Sequence, residues 1–177
     1  MHKKPVFSII AVCTIDGKIA RHSRHMTDWS SKEDKDFLHK MLDKADAVVV
    51  GHTTYEVAKG PLSKRNCIVF TRSVLGAVEN GTNLSYLNPD EVGIAEYCAL
   101  HGYKKVAVLG GAKTFAHFLE KGLVDEIFLT IEPLLFGEGI DFFAQVPGAK
   151  GLAMDLVSVK KLNKKGTLLL HYKNKGK

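Results

Sequence analysis

Short apolar runs rich in β-branched residues alternate with stretches of helical periodicity along almost the whole chain. Residues 6–14, 45–50, 67–71, 105–109 and 126–131 are such runs. Consecutive apolar residues leave no face for water, so each reads as a strand buried on both sides, the mark of a parallel sheet with crossover helices. Between them, Ser30-Ser31 followed by Glu33-Asp34 is a capped helix start, and Phe37, Leu38, Met41 and Leu42 recur at helical spacing. Further helices are expected from Thr53, over residues 89–100 with Pro89 in the first turn, and over residues 113–121. A turn-rich stretch precedes Pro89. The chain ends in two runs, 153–162 and 167–172, that read as a β-hairpin. The expected fold is α/β: a mainly parallel central sheet covered on both faces, with an antiparallel C-terminal hairpin.

A chain of 177 residues buries enough surface for one compact domain without disulfides or metals, and no repeat or linker divides it, so residues 1–177 read as one domain. Cys13, Cys67 and Cys98 are an odd number with no close pair, which excludes a disulfide framework and a cysteine zinc site and fits a cytoplasmic protein. The eight histidines show no paired metal spacing, so no metal is expected. Lys3-Lys4 and the apolar residues after them mimic a signal peptide, but Asp16-Gly17-Lys18 interrupts at once. No apolar stretch approaches the roughly 20 residues of a membrane span. The net charge of +6 suits a phosphate-bearing ligand. A nucleic-acid partner is not expected, because the lysines cluster in the C-terminal hairpin and tail and no aromatic-studded basic motif occurs.

Three strand ends carry chemistry. In Val106-Ala-Val-Leu-Gly110-Gly111-Ala-Lys-Thr-Phe-Ala, a buried strand runs into two glycines and then a helix. Glycine lets backbone approach a ligand, and a helix N-terminus offers unpaired N–H groups, so the junction suits a pyrophosphate. A lone Gly-Gly also serves simply to turn a chain. Val50-Gly51-His52-Thr53-Thr54 repeats the strand, glycine and helix-start order, and in open α/β sheets ligands bind beyond the carboxyl ends of strands. Phe70-Thr71-Arg72-Ser73 places an arginine between hydroxyls, the chemistry that reads a phosphomonoester, or else an ordinary polar loop.

In this order the motifs resemble the dihydrofolate reductase-like superfamily, and within it the riboflavin-biosynthesis reductase branch. The resemblance runs from about Val6 to Phe143. It rests on Asp16-Gly17-Lys18-Ile19-Ala20, on Glu33-Asp34 with His39 downstream, on Val50-Gly51-His52-Thr53-Thr54, and on LGGAKTFAHFLEKGLVDEIFLTIEPLLFGEG at residues 109–139. It implies a three-layer dihydrofolate reductase-like fold and an NADPH cofactor. Gly51, His52, Thr53 and Thr54 would line that cofactor, with Thr71, Arg72 and Ser73 at its adenosine end and 2′-phosphate. Gly110, Gly111, Ala112 and Thr114 would meet the pyrophosphate and nearby ribose, and Ala11, Val12 and Ile19 would border the nicotinamide.

The branch usually follows its glycine-threonine turn with acids before a proline, a leucine and an arginine. Here Pro61, Leu62 and Arg65 remain but the acids are missing. Tyr55-Glu56, Leu129-Thr130 and Asp34, five residues after Trp29, are similar to dihydrofolate reductase itself. The expected activity is NADPH-dependent reduction of the ribosylamino-pyrimidine 5′-phosphate of riboflavin biosynthesis, with dihydrofolate reduction as the alternative and a non-catalytic nucleotide- or nucleic-acid-binding module as the reading from another class. In the first reading Lys59, Lys64 and Arg65 would hold the substrate phosphate, Asp34 or Glu33 would act on the ring, and Asp16 and Thr130 would complete the substrate site. Asp16 is equally a turn residue before Gly17, and Asp34 a helix-start carboxylate favoured by the dipole. A homodimer is expected.

Overall fold

The computed structural model describes residues 4–148 and 150–176, so Lys3 of the basic start and Lys177 of the lysine tail lie outside it. The strands are β1 (Val6–Thr14), β2 (Lys18–Ala20), β3 (Ala47–Gly51), β4 (Cys67–Phe70), β5 (Ala77–Glu79), β6 (Leu84–Leu87), β7 (Lys105–Val108), β8 (Glu126–Glu132), β9 (Ile140–Asp141), β10 (Met154–Lys161) and β11 (Leu168–Asn174). The helices are α1 (Lys32–Lys44), α2 (His52–Leu62), α3 (Ile94–Leu100) and α4 (Ala112–Glu120). Nine strands form one sheet in the order β10-β11-β8-β1-β7-β3-β4-β6-β5, and β2 pairs separately with β9. From β8 to β6 every ladder is parallel, and both ends of the sheet are antiparallel.

Alternation along the strands sends residues to two cores. Phe7 and Ile9 of β1, Val106 and Val108 of β7, and Ile68 and Phe70 of β4 meet Tyr97 and Cys98 of α3 and Phe115 and Phe118 of α4. The intervening residues Ile10, Val48, Val50, Val69 and Ala107 face the other way, against Leu42 of α1 and Tyr55 and Leu62 of α2. Continuously apolar strands are what a sheet covered on both sides requires. All three cysteines are buried and unpaired, and burial pushes the Cys13 thiol up to about 11 and those of Cys67 and Cys98 to about 12. Among the described residues no helix is long and apolar enough to cross a membrane.

Two expectations are corrected. The helix expected over residues 89–100 begins only at Ile94, after Gly93. Buried Asn88 holds the preceding residues in a turn: its carbonyl accepts from the N–H groups of Glu91 and Val92, and its side chain accepts from the Asp90 N–H. Pro89 sits inside that turn. The turn-rich stretch before it contains the hairpin β5–β6, and β6 pairs parallel to β4 with Leu87 fully buried. Leu87→Ala should therefore cost roughly 2–5 kcal/mol, the penalty of a core cavity, whereas exposed Val78→Ala on β5 should change stability by less than about 1 kcal/mol. Denaturant midpoints of the two variants would test whether this hairpin belongs to the core.

Candidate active site

The carboxyl ends of β1, β8, β7, β3 and β4 all lie at one end of the sheet, because these strands are parallel. Two groups of side chains gather there. The first joins the ends of β3 and β7. The Gly51 N–H donates to the Gly110 carbonyl at 2.7 Å, and α2 and α4 start directly afterwards. A Cβ on Gly51 would stand 2.9 Å from Thr114 Oγ1, and one on Gly110 would stand 2.7 Å from the Phe115 ring at a φ of +95°. Glycine at these two positions is demanded by packing and conformation. Gly111 differs: its φ is −72°, and a Cβ there would meet nothing closer than Thr54 Oγ1 at 3.4 Å.

Gly51 and Gly111 are the N-caps of α2 and α4, and neither supplies a side chain to the first helical N–H groups. Two positive helix ends are thus fixed side by side, a suitable place for an anion. His52 and Thr53 are exposed on the first turn of α2, and Ala112 and buried Thr114 lie on that of α4. Thr71, Arg72 and Ser73 follow β4 at the same end, next to Gly51 through the Gly51–Phe70 pairing. The Arg72 guanidinium is held by both oxygens of Asp90, at 2.6 and 3.1 Å, and is largely exposed.

The second group surrounds Asp34, in the first turn of α1. The Ser31 hydroxyl caps this helix by accepting from the Asp34 N–H. The Asp34 carboxyl is only 6% exposed and is hydrogen-bonded by the hydroxyls of Thr130 on β8 and Ser30. Burial is the main influence and raises its pKa; the two hydroxyls lower it, and nearby Glu132 raises it further. Val12 of β1 pairs with Thr130 and lies on the same side of the sheet.

Glu132 was not singled out from the sequence. It is buried and accepts from the Ser31 N–H at 2.7 Å and the Thr167 hydroxyl at 2.6 Å, tying the start of α1 and the C-terminal hairpin to β8. The signal available was its two-residue spacing from Thr130 on a strand, which puts both on one face. Trp29, one residue before Ser30, packs edge-on against Phe136, and its indole N–H is buried without an acceptor among the described residues.

Other expected residues stand apart. Glu33 is exposed and receives the Asn163 amide of the hairpin, so of the two adjacent acids only Asp34 points inward. Ala11 and Ile19 pack toward the α3–α4 core, away from Val12. Asp16 is occupied by the Thr14 hydroxyl and by the N–H groups of Phe136 and Gly137, which hold its carboxyl down at about 2, the hydroxyl first. It anchors the Phe-Gly-Glu-Gly loop rather than facing an open site. Lys64 and Arg65 lie at the opposite end of the sheet, since α2 runs the length of the strands before β4 begins, and Arg65 pairs there with Asp43. Lys59, part-way along α2, pairs with Glu56. The three cations therefore do not converge with Asp34. A polar, open cavity of about 320 Å³ beside Asn83, His101 and Tyr103 shares no residue with either strand-end group.

A mostly parallel sheet with an antiparallel C-terminal hairpin, two glycine-led helix starts at its carboxyl end and a buried acid facing β8 defines a dihydrofolate reductase-like α/β protein. The chain belongs to the RibD C-terminal domain family, which it matches over residues 7–67 and 91–168. A Bacillus subtilis (strain 168) relative bearing the name Uncharacterized protein YwjB is 25% identical over 154 residues, 82% of this chain and 86% of that protein. Riboflavin biosynthesis protein RibD of Corynebacterium ammoniagenes is 28% identical over 161 residues, and the match spans 80% of this chain but 47% of that longer protein. A diaminohydroxyphosphoribosylaminopyrimidine deaminase/5-amino-6-(5-phosphoribosylamino)uracil reductase from Thermotoga maritima shares the fold, with a TM-score of 0.71 at 20% identity over 97% of this chain and 57% of that one.

Burial of Asp34 has a consequence for stability. Its folded pKa is raised, so the native state holds the proton more tightly than the unfolded chain does. That contribution is complete below the ordinary carboxylate value of about 3.9 and is lost as pH rises through the folded pKa. Asp34→Asn carries no such ionisation. The melting temperature of the unsubstituted chain should fall relative to that of Asp34→Asn as pH is raised from about 4 toward neutrality. Parallel melting curves would contradict the assigned burial.

Proposed function

We propose that this chain is an NADPH-dependent reductase that converts 5-amino-6-(5-phosphoribosylamino)uracil to its ribityl counterpart. Membership of the RibD C-terminal domain family supports a riboflavin-pathway reductase and a nicotinamide cofactor. The observation that carries the reading within this chain is the β3–β7 junction, where two uncapped helix N-termini stand side by side with bare glycine backbone between them. That arrangement fits a pyrophosphate. The acid group lies two to three strand spacings away along the same sheet end, about 10–14 Å, so an extended dinucleotide would run from one to the other.

Bound NADPH supplies the hydride. The chain's own residues do the rest. Gly110, Gly111 and Ala112 would meet the pyrophosphate with backbone N–H groups and Thr114 the nearby ribose with its hydroxyl, while Gly51, whose N–H is given to Gly110, lines the cofactor by its lack of a side chain. His52, Thr53 and Thr54 border it, and Thr71, Arg72 and Ser73 take the adenosine end. Residues 68–90, which contain Arg72, fall outside the family match, so this last assignment rests on guanidinium chemistry alone. Val12 flanks the reacting end. Asp34, kept dry and held by Thr130 and Ser30, orients the heterocycle and retains its proton to higher pH than an ordinary carboxyl. The free indole N–H of Trp29 is a further donor on this side.

A dihydrofolate reductase is the second reading, and one observation favours it: Lys64 and Arg65, expected to grip a substrate phosphate, lie at the far end of the sheet. Turnover assays following NADPH absorbance separate the two. The pyrimidine phosphate should be reduced and dihydrofolate should not; the reverse result would install the second reading. Asp34→Asn should lower turnover at least about tenfold while shifting the melting temperature by no more than a few degrees.

Cofactor binding is tested at the glycine whose substitution the fold tolerates. Gly111→Ala should stay folded yet weaken NADPH binding at least about tenfold, roughly 1.4 kcal/mol, because its methyl group would stand between backbone and phosphate. Normal binding by the folded variant would move the phosphate site elsewhere. NADPH should also bind about tenfold more tightly than NADH, and Arg72→Ala should remove that preference while leaving NADH affinity unchanged.

A further inference from the structure

The loop between β2 and α1 carries charge that nothing nearby neutralises. Residues 21–26 read Arg-His-Ser-Arg-His-Met, two guanidiniums and two imidazoles with no acid among them. The chain has four arginines. Arg65 is paired with Asp43 and Arg72 with Asp90, whereas Arg21 and Arg24 make no ion pair among the described residues. Both are exposed. The loop is nonetheless fixed. The His25 N–H donates to the His22 carbonyl at 3.0 Å, closing a turn, and the Arg21 N–H donates to His25 Nδ1 at 3.0 Å. The Arg21 guanidinium lies 4.1 Å from the centre of the Phe136 ring, held by the attraction of a cation to an aromatic face.

This loop spans the two groups of side chains at the carboxyl end of the sheet. Phe136 also packs edge-on against Trp29, with ring centres 5.0 Å apart, so Arg21 stands on the acid side, near the start of α1. Arg24 stands toward α2. The Lys59 hydrogen bond holds the Glu56 carboxyl below its ordinary value, and the charges of Lys59, His52 and Arg24 hold it lower still. We propose that Arg21 and Arg24 bind the 5′-phosphate of the substrate whose ring meets Asp34. The assignment rests on the pyrimidine reductase reading above, and it supplies the phosphate grip that Lys59, Lys64 and Arg65 do not. A guanidinium presents a planar fork of N–H donors that matches two phosphate oxygens at once, and Arg21 is already oriented by a ring. Neither arginine must leave a carboxylate to take up the ligand, whereas Arg65 and Arg72 must. Unneutralised positive charge at the rim of the site also draws in a doubly charged substrate.

Turnover of the pyrimidine phosphate and of its dephosphorylated nucleoside, with NADPH dissociation constants measured alongside, tests the assignment. Arg24→Gln, alone and together with Arg21→Gln, removes charge at exposed positions, so the circular dichroism spectrum should not change. Each variant should raise KM for the phosphate at least about tenfold, leave kcat within about twofold and leave NADPH affinity unchanged. KM for the nucleoside should not respond. Lys64→Gln, at the far end of the sheet, should leave every constant as it was. Binding of ribose 5-phosphate, followed by calorimetry without cofactor, separates the grip from the reaction. Such binding, lost in the arginine variants of a chain that does not turn over the pyrimidine, would uphold the grip and overturn the pyrimidine reading. An unaltered KM in the variants of an active chain would overturn the grip and leave that reading intact. Weaker NADPH binding at constant KM would overturn it too, assigning the arginines to the cofactor. A chain that neither turns over the pyrimidine nor binds ribose 5-phosphate would overturn both.

Discussion

The hydrogen bond from the Gly51 N–H to the Gly110 carbonyl fixes how the upper end of this molecule is built. It joins two strands where both stop being strands, and Thr114 Oγ1, 2.9 Å from where a Cβ would stand, leaves no space for a side chain on Gly51. Two helices must then start from neighbouring points, with their N-termini directed to the same side. Each such end carries about half a positive charge, and placing two together without capping side chains is unfavourable unless an anion or water answers them. The three glycines have separate duties. Gly51 and Gly110 permit the packing, whereas Gly111, at a φ of −72°, has room for a methyl group.

A second constraint is the pair of buried carboxylates on either side of the α1 start. Glu132 is fully employed, receiving one backbone N–H and one hydroxyl, and its work is to hold three segments together. Asp34 has hydroxyl partners but, among the described residues, no cation among its hydrogen-bond donors, and its pKa rises with burial. A folded chain tolerates such a group at a cost, because a buried acid without full compensation favours its neutral form. The two acids occupy one dry region: Glu132 ties the start of α1 and the hairpin to β8, and Asp34 is held by the hydroxyls of Thr130 and Ser30.

Much of this was legible in the sequence wherever the determinant was local. Strand, glycine and helix start follow one another within a few residues at Gly51 and Gly110, and both junctions were readable as strand-to-helix turns. What depended on distance was not. Glu33 and Asp34 are adjacent and chemically alike, and only the position of β8 decides which turns inward. Lys64 and Arg65 looked close to the glycine-threonine turn, yet eleven helical residues carry the chain about 16 Å away, to the other end of the sheet. The β5–β6 hairpin was hidden because its strands are short and half polar. Pro89 suggested a helix start that the Asn88 turn delays to Ile94.

Strand β8 shows how the two halves of the molecule are linked. Its alternation sends Phe128, Thr130 and Glu132 toward α1 and the acid, and Leu129 and Ile131 to the opposite side of the sheet. A strand has a period of two, so a slip by one residue would exchange these sets, burying leucine beside Asp34 and exposing two polar groups on the apolar side. Register here is held from both flanks: β1 pairs in parallel through seven residues, and β11 in antiparallel through six. The Thr167–Glu132 hydrogen bond fastens the beginning of β11 to the end of β8. The C-terminal hairpin is therefore part of the framework around the acid, and its buried Leu169, paired with Thr130, lies on the acid's side of the sheet. It fixes the strand whose one side presents Thr130 to Asp34 and whose other side carries Leu129 and Ile131.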